Sequence, residues 1–356
     1  MAFCKESLQE IYGVYFVKRV SLQEDVPMLY ILRKLLFLLV TIWAAVTVNF
    51  ILPRLMPGDP AQVMISKYRG RLNPSAIRAL EIAFGINTDK SIYEQYIDYI
   101  KKLLKGDFGI SVTYYPSTVS EVLSQAFPWT IGLVGVSTFL AFSIGTILGI
   151  KAAWKRGGVF DTIVVPFGLF MNSVPYFWLA LVVVYLFAFK LGWFPLSGAY
   201  SISIENLEGI KKVFSILYHA ILPAVTIIIT ASGGWMLTMR NNMIAVLNED
   251  FILFAYAKGL PEEIIEIKYA AKNAILPSFT GFAMAIGFVV SGALLTEIVF
   301  SYPGVGYMLY QAVLNIDYPL MQAIFLIITL TVLIANFIAD MAYVLLDPRV
   351  RTSGGE

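Results

Sequence analysis

Six long apolar stretches restrict the fold of this chain more than any other feature of its sequence. A helix that crosses the hydrocarbon core of a bilayer needs about 20 mostly apolar residues. The predicted spans cover roughly residues 35–53, 129–153, 162–189, 221–247, 275–300 and 320–345. The third contains Pro166 and Pro175, which a membrane helix tolerates where neighbouring groups satisfy the freed carbonyls. The sequence therefore predicts an all-α integral membrane protein with six transmembrane helices.

The composition supports a membrane location and argues against several functional classes. Of the 356 residues, 58% are hydrophobic and 14% are charged, whereas about 25% of residues are charged in a soluble domain. A net charge of +2 with intermixed acids and bases gives no indication of a nucleic-acid partner. Cys4 and His219 are too few for a zinc site or a disulfide framework, and His219 is expected in a loop or at the membrane edge. The sequence contains no G-x-x-x-x-G-K-[ST] phosphate-binding loop, so we do not expect this chain to be an enzyme that hydrolyses ATP alone.

Lysine and arginine residues beside the spans indicate the orientation of the chain, because short positively charged segments stay in the cytoplasm. A six-span arrangement puts four such segments on one side, and they contain Lys18, Arg19, Arg33, Lys34, Lys155, Arg156, Lys258, Lys268, Lys272, Arg349 and Arg351. Both termini are therefore predicted to be cytoplasmic. The predicted division is a cytoplasmic N-terminal extension (1–34), the first span (35–53), a large extracytoplasmic segment (54–128), the core with spans two to six (129–345) and a cytoplasmic tail (346–356).

The extracytoplasmic segment contains the amphipathic sequence IYEQYIDYIKKLL at 92–104. Its apolar residues Ile92, Tyr96, Ile100 and Leu103 recur at helical spacing, which predicts a helix with one apolar face. We expect this face to pack over the bundle, because amphipathic faces usually cover a core. A surface for an external partner is the alternative.

Few ionisable residues lie within the predicted spans. Glu297 is near the outer end of the fifth span, Asp340 is in the inner half of the sixth, and Arg240 is late in the fourth. Because burial of an acid in a membrane is costly, Glu297 and Asp340 are candidates for lining a pathway. Solvation at a helix end or hydrogen bonding between spans is the alternative. Arg240 is expected to extend to the cytoplasmic interface.

A charged stretch, FAYAKGLPEEIIEIKYAAKNAILP at 254–277, separates two of the apolar runs. Residues 248–250 can cap a short helix that continues through Ala257, and Gly259 then ends it, because glycine readily adopts the left-handed conformation. Pro261 suits the first turn of a second helix, with Glu262 and Glu263 near its positive end. The stretch therefore predicts a cytoplasmic helix, a sharp turn and a second helix.

The second helix of this stretch needs a cover for one apolar face. Ile264, Ile267 and Ala271 recur on that face, and burial of an isoleucine side chain contributes roughly 1.5–3 kcal/mol. Either the spans of the same chain or a separate protein could cover it. The small residues Ala255, Ala257 and Gly259 also suit close contact with a partner.

Eight segments, in order, resemble those of one transporter family. They are LPRLMPGDP (52–60), KGDFGIS (105–111), SVPYFWLALVVVYLF (173–187), LGWFPLSG (191–198), EDFILFAYAKGL (249–260), NAILP (273–277), TEIVFSYPGVG (296–306) and LLDPRVR (345–351). On these segments the chain resembles the B-type permease subunits of the dipeptide, oligopeptide and nickel ABC importers of the cell inner membrane. The resemblance extends over nearly everything from Met28 onward.

The resemblance implies a set of partners. They are a second homologous permease, two ATPase subunits that bind ATP and magnesium, an external substrate-binding protein and the lipid bilayer, and this chain would bind no cofactor. The implied cargo is an oligopeptide or dipeptide. Cello- or xylo-type oligosaccharides and nickel complexes are alternatives with the same architecture, and a secondary transporter is a more distant one.

The resemblance also implies that residues 249–277, with a cytoplasmic coupling segment at 249–274, transmit ATPase motion to the spans. The implied coupling residues are Glu249, Asp250, Ala255, Ala257, Lys258, Gly259, Leu260, Glu262, Glu263, Ile264 and Pro277, with Pro277 at the entry to the fifth span. Residues 1–27 have no counterpart in the family, Tyr256 replaces a frequent arginine, and Glu262, Glu263 and Glu266 follow the turn where the family tends to be basic. These acids lead to the hypothesis that the partner ATPase has an unusually basic groove.

Overall fold

A computed structural model describes residues 28–55, 90–201 and 209–346 of the chain. Helices form almost all of these residues, and an isolated bridge joins Ile110 to Thr118. In chain order the helices are α1 (Met28–Leu55), α2 (Ile92–Leu104), α3 (Val119–Trp154), α4 (Val159–Ser173), α5 (Tyr176–Lys190), α6 (Ile210–Leu247), α7 (Asp250–Ala257), α8 (Glu262–Ser291), α9 (Leu294–Val299), α10 (Val305–Leu314) and α11 (Tyr318–Leu346). The N-terminal extension to residue 27 and the tail from residue 347 lie outside the described residues.

Five helices are each long and apolar enough to cross a membrane: α1, α3, α6, α8 and α11. Helices α4 and α5 pass the same test as a pair, although they meet at an angle of 96°. The expected all-α membrane fold is confirmed, and the helices give six spans if the bent pair is counted as one. The third predicted span, however, is not one helix.

The break in the third span follows from Pro175. Val174 has φ −75° and ψ 125°, because the ring of a proline disfavours the helical conformation in the residue before it. Pro175 then becomes the N-cap of α5. Pro166, in contrast, lies inside α4 without ending it. The sequence predicts that both prolines are tolerated within one span, but only Pro175 interrupts the helix.

Several helix ends differ from the predicted bounds. Helix α3 begins at Val119, before the predicted 129, because Thr118 and Glu121 form a capping box. Helix α8 runs continuously from Glu262, so Pro277 lies inside the helix, and its expected position at the entry to the fifth span stays a prediction. The same helix ends at Ser291 because Gly292 adopts φ +72°.

His219 is not in a loop. It lies inside α6, where its side chain is buried, and its Nδ1 is 2.8 Å from the carbonyl oxygen of Ser215. The imidazole is therefore held by its own helix.

The amphipathic helix α2 has the predicted bounds and packs against α1. Tyr96 and Thr47 share a hydrogen bond of 2.7 Å between their hydroxyl oxygens, and Asn49 donates to the Tyr99 hydroxyl at 3.3 Å. The ring of Phe50 lies between these tyrosines, with centroid distances of 5.1 and 5.5 Å. These contacts match the interpretation of α2 as a helix that packs over the bundle.

Helices α3 and α6 form the most extensive helix–helix contact in the described part of the chain. A β-carbon at Gly145 would lie 2.5 Å from the Ser232 carbonyl oxygen, and one at Gly149 would lie 2.5 Å from that of Met236. Small residues allow membrane helices to approach in this way. The two helices therefore meet backbone to backbone through the bundle.

Buried apolar clusters lie at both ends of this pair. At one end, α7 and the start of α8 pack on Ala153 of α3 and Met243 of α6, and we call this the Gly259 end. At the other end, the start of α3 packs against α10 and the start of α11, and we call this the Glu297 end. Helix α3 reaches from one end to the other, since Thr130 contacts Glu297 and Ala153 lies in the opposite cluster.

Candidate functional site

The connection between α7 and α8 is a tight turn. Helix α7 ends at Ala257, and Gly259 adopts φ +70°, a conformation that favours glycine. Its N–H donates to the Tyr256 carbonyl at 2.9 Å. Pro261 follows as the N-cap of α8, one position before the helix starts. The predicted helix, turn and helix are confirmed, with Pro261 just outside the second helix rather than in its first turn.

Helix α7 buries one side within its own chain. Ile252 is 3% exposed and Ala255 is 2% exposed, and they belong to the cluster that contains Met239 and Met243 of α6. Ala255 is therefore enclosed by this protein and unavailable for the close partner contact that the sequence suggested. Ile252 and Ala255 can both face α6 because residues three apart lie on the same face of a helix.

The buried face of α8 also differs from the predicted one. Ile265, Ala270 and Ala271 are buried, whereas Ile267 is 63% exposed and Ile264 is half-buried. Residues 265–271 form a π-helical turn, which widens the helix and hydrogen-bonds residues five apart. The spacing of Ile265 and Ala270 follows this wider turn. The predicted face of Ile264, Ile267 and Ala271 assumed regular α-helical spacing, and for this reason it is wrong at Ile267, although Ala271 is buried as predicted.

The remaining coupling residues lie on the surface or near it. Glu249, Asp250, Ala257, Lys258, Gly259, Glu262, Glu263 and Pro277 are exposed, and Leu260 and Ile264 are half-buried. Two large apolar side chains that sequence reasoning passed over accompany them, Leu253 at 71% exposure and Phe254 at 68%. We call Leu253, Phe254 and Ala257 the outer face of α7. The helical pattern could have revealed the outer face, since Ile252 and Ala255 occupy one side of α7 and the outer face is the opposite side of the same helix.

An ion pair joins α4 to α6 near the Gly259 end. Arg240 donates from Nε to Asp161 Oδ1 at 2.7 Å and from Nη2 to Oδ2 at 2.9 Å, and the Gly157 N–H donates to Oδ2 at 3.0 Å. This fork geometry is the strong form of an arginine–carboxylate contact. Asp161 therefore binds the Arg240 guanidinium, and the expected position of Arg240 at the cytoplasmic interface stays a prediction.

Glu297 is completely buried at the opposite end. Its carboxylate accepts a hydrogen bond from the Thr130 hydroxyl at 2.9 Å, and from the N–H groups of Gly306 and Tyr307 at 2.7 and 3.1 Å. Val305 N–H donates to the Thr130 hydroxyl oxygen at 2.8 Å. The first three N–H groups of α10 are thus satisfied by side chains from α3 and α9. These are hydrogen bonds between spans and their connections.

Glycines make this arrangement possible. The N-cap of α10 is Gly304, and a β-carbon there would lie 2.5 Å from both Glu297 Oε2 and Thr130 Oγ1. A β-carbon at Gly306 would lie 2.9 Å from Glu297 Oε2. The carboxylate therefore occupies the space that a capping side chain would otherwise need. The TEIVFSYPGVG segment combines the acid with the glycines that admit it.

A second fully buried acid, Asp317, caps α11. Its Oδ1 accepts from the Leu320 N–H at 3.2 Å, and its Oδ2 accepts from the Thr113 N–H at 2.8 Å and the Ser111 hydroxyl at 2.5 Å. Sequence reasoning missed this residue, although an aspartate followed by Pro319 and a long apolar run is a helix-start signal. Asp340 lies within α11, but its side chain is outside the described part of the chain.

The geometry defines a multi-pass helical membrane protein with a solvent-facing helical turn at one end and buried, hydrogen-bonded acids at the other. Within residues 28–55, 90–201 and 209–346, no group of three or more His, Cys, Asp or Glu side chains could hold a metal ion. The family described as the binding-protein-dependent transport system inner membrane component matches residues 145–352, more than half of the chain, and this protein belongs to that family.

Similar curated proteins extend the match over nearly the whole chain. The di/tripeptide transport system permease protein of Pseudomonas aeruginosa is 34% identical over 337 residues, which cover 90% of this chain and 98% of that protein. The oligopeptide transport system permease protein of Bacillus subtilis is 30% identical over 90% of this chain and 98% of its own length. A probable D,D-dipeptide transport system permease protein of Escherichia coli is 34% identical over 92% and 98%.

Proposed function

We propose that this chain is a permease subunit of an ATP-driven importer of peptides and forms half of the translocation pathway beside a second, similar permease. The observation that carries the proposal is the similarity, over nearly the full length, to permeases named for di/tripeptide, oligopeptide and D,D-dipeptide transport. Two ATPase subunits bind ATP and magnesium, an external binding protein delivers the peptide, and this chain holds no cofactor.

In this proposal the Gly259 end is cytoplasmic and the outer face of α7 contacts an ATPase subunit. Leu253 and Phe254 are mostly exposed, and burial of each in a partner groove would contribute roughly 1.5–3 kcal/mol. The exposed residues around the turn, the charged Glu249, Asp250, Lys258, Glu262 and Glu263 together with Gly259, form the rim of the contact. An apolar centre with a polar rim is the usual anatomy of a protein interface.

The inner side of α7 transmits the movement. Ile252 and Ala255 are packed with Met239 and Met243 of α6 and with Ala270 of α8. Because such interiors are close-packed, a displacement of α7 carries the adjoining ends of α6 and α8 with it. The close contact of α6 with α3 extends the movement to a third span. The spans therefore move as packed bodies when the ATPase subunits close.

The acids after the turn select the ATPase partner in this proposal. Glu262 and Glu263 are exposed and Glu266 is half-buried, so a partner groove would need basic side chains to complement them. Reversal of all three to lysine is expected to weaken co-purification with the native ATPase, and replacement by glutamine to weaken it less. The loss should shrink at high salt because exposed charges are screened. Unchanged co-purification of the lysine variant would refute a basic groove.

Transport of peptides is tested with the assembled importer in vesicles. The expected result is ATP-dependent uptake of labelled di- to oligopeptides that requires the ATPase, the second permease and the binding protein. Uptake of cello- or xylo-oligosaccharides or of nickel complexes without peptide uptake would refute peptides as the substrate but still support an ATP-driven importer. Uptake driven by an ion gradient without ATP or partners would overturn the importer and indicate a secondary transporter.

A further inference from the structure

The break between α4 and α5 places irregular backbone near the middle of the bent pair. The two helices run from Val159 to Lys190, and the interruption falls at Val174 and Pro175. Val174 is half-buried, and Pro175 is exposed rather than covered by this chain. Non-helical backbone at membrane depth is tolerated only where protein covers it or where it lines a water-filled cavity. The break must therefore face one of these two environments.

Asn172 lies two residues before Val174, and its polar side chain is in the same region. It is exposed, and none of its amide's hydrogen bonds is made within the described parts of the chain. Helix α6 presents Gly233 and Gly234 opposite it, and a β-carbon at Gly234 would lie 3.3 Å from Asn172 Oδ1. The glycine pair thus leaves room for the amide beside α6. An amide at this depth is expensive unless water, a partner or a ligand satisfies it.

Further polar groups continue along one face of α6. Thr238 and Asn241 follow Gly234 at spacings of four and seven residues, which puts them on one face of the helix, and both are exposed. Thr238 donates to the Gly234 carbonyl at 3.0 Å, which leaves its hydroxyl oxygen able to accept. We call Asn172, Thr238 and Asn241 the amide stripe. None of the three carries a charge.

The exposed surface elsewhere on α4 has a different character. Ile163, Phe167 and Phe170 are 62%, 59% and 62% exposed, and they form a wholly apolar surface that suits lipid tails. A bilayer-facing surface has no reason to carry two amides and a hydroxyl. The nearby Arg240 is bound by Asp161, so its charge is compensated within the bundle. The amide stripe is therefore polar, neutral and unlike the lipid-facing surface.

We propose that the amide stripe lines the translocation pathway and hydrogen-bonds the main chain of a transported peptide, independently of the peptide's side chains. The inference rests on the proposed peptide-importing function. A primary amide offers two N–H donors and a carbonyl acceptor, the same groups that a peptide bond presents. The last carbonyls of α4 at the break add acceptors for peptide N–H groups. Neutral groups of this kind bind peptides of differing charge without selecting among them.

Water access gives the first test, and it does not depend on transport activity. Cys4 is the chain's one cysteine, so single thiols are introduced into a Cys4→Ser background of the assembled importer. Asn172→Cys and Asn241→Cys are expected to react with a charged, water-soluble thiol reagent about tenfold faster than Phe170→Cys, because an apolar environment suppresses the reactive thiolate. A tri-alanine peptide with its binding protein and ATP should slow the labelling. Equal rates for residues 170 and 172 in all nucleotide states would overturn the proposal.

Main-chain recognition gives the second test. Uptake of tri-alanine is compared with uptake of its depsipeptide analogue, in which an ester oxygen replaces one amide N–H. One hydrogen bond changes an equilibrium about two- to tenfold. The KM of the depsipeptide divided by the KM of tri-alanine should therefore exceed one in the wild type and fall toward one in Asn172→Leu. Phe170→Leu is the matched control and should keep the wild-type ratio. Any preference of the external binding protein for one substrate affects the wild type and the variants equally, so it does not change the comparison between them.

The outcomes separate the inference from the proposed function. Wild-type importer that takes up no peptide would refute the peptide-importing function. Peptide uptake with the same KM ratio in the wild type and Asn172→Leu would refute the amide stripe alone. Loss of the second permease from purified Asn172→Leu importer, together with unreactive thiols, would identify the stripe as a subunit interface and also overturn the inference.

Discussion

The two ends of the bundle stabilise buried acids in different ways. At the Glu297 end, Glu297 and Asp317 are fully buried and accept hydrogen bonds from backbone N–H groups and hydroxyls. At the Gly259 end, Asp161 is 7% exposed and shares its carboxylate between Arg240 and one N–H. The first arrangement uses helix N-termini, which favour negative charge, and the second uses an opposite charge.

The difference indicates how firmly each end is held. Each acid at the Glu297 end accepts hydrogen bonds from more than one chain segment, so loosening it leaves several donors unpaired at once. The pair at the Gly259 end connects α4 and α6 through the long, flexible side chain of Arg240, which can separate from Asp161 and bind it again. We infer that the Glu297 end is the fixed part and that the Gly259 end, which also carries α7, is the adjustable part.

The largest predicted effect concerns Glu297. Glu297→Ala leaves the Thr130 hydroxyl and the Gly306 and Tyr307 N–H groups without their acceptor, and each unsatisfied group costs about 1–3 kcal/mol. We expect a loss of about 3 kcal/mol or more in the free energy of unfolding, measured by thermal melting in detergent. Gly304→Ala should cost a similar amount, because its β-carbon would displace the carboxylate.

Gly132→Ala is the control for the glycine substitution. Gly132 also lies in a helical segment, and no atom lies within 4 Å of the position of its β-carbon. The substitution should leave stability unchanged or slightly raised, because alanine favours helices. Equal melting temperatures for the Gly304→Ala and Gly132→Ala proteins would contradict the capping role of Glu297.

A smaller effect is predicted for the ion pair. Asp161→Asn and Arg240→Gln should each cost about 1–2 kcal/mol, below the 3–5 kcal/mol of a fully buried pair, because the Arg240 side chain is 19% exposed. The double variant should cost less than the sum of the two, as expected for residues in contact. High salt should reduce the wild-type advantage at this end. If Glu297→Ala shows the same salt dependence, the contrast between the two ends is wrong.

The smallest effect on stability is predicted for the outer face of α7. Leu253→Ser with Phe254→Ser should leave the melting temperature of the isolated subunit unchanged, because both side chains are already mostly exposed. The same variant should lose co-purification with the ATPase subunits. Ile252→Ser, on the buried side of the same helix, should instead lower the melting temperature. Retained co-purification with Leu253→Ser and Phe254→Ser would exclude this face as the contact.

Local sequence signals predicted much of the fold. The apolar runs located the spans, and Ser91 with Glu94 forms the capping box at the start of α2, which has the predicted bounds. Gly259 ended α7 as its preference for positive φ indicates. These features depend on residues within a few positions of one another. Periodicity and turn chemistry were sufficient for them.

The missed features depend on distant residues. Asp161 and Arg240 are 79 positions apart, and no local pattern pairs them. Pro166 and Pro175 have the same intrinsic effect on a helix, and only the second ends one here. The π-turn at 265–271 changed the buried face of α8 without a sequence marker that we recognised. Tertiary packing decides each of these cases.

Helix α6 has a consequence for the surrounding lipid. It contains 38 residues and is therefore about 57 Å long, whereas a bilayer with its headgroups is about 40–45 Å thick. The helix belongs to the buried cluster of the Gly259 end through Met239 and Met243, and near its start Leu222 joins a further buried cluster with Phe300 and Tyr302. In a membrane of different thickness, such a long helix adapts chiefly by changing its tilt relative to the bilayer normal. Acyl-chain length would then set the resting angle from which the Gly259 end begins each transport cycle.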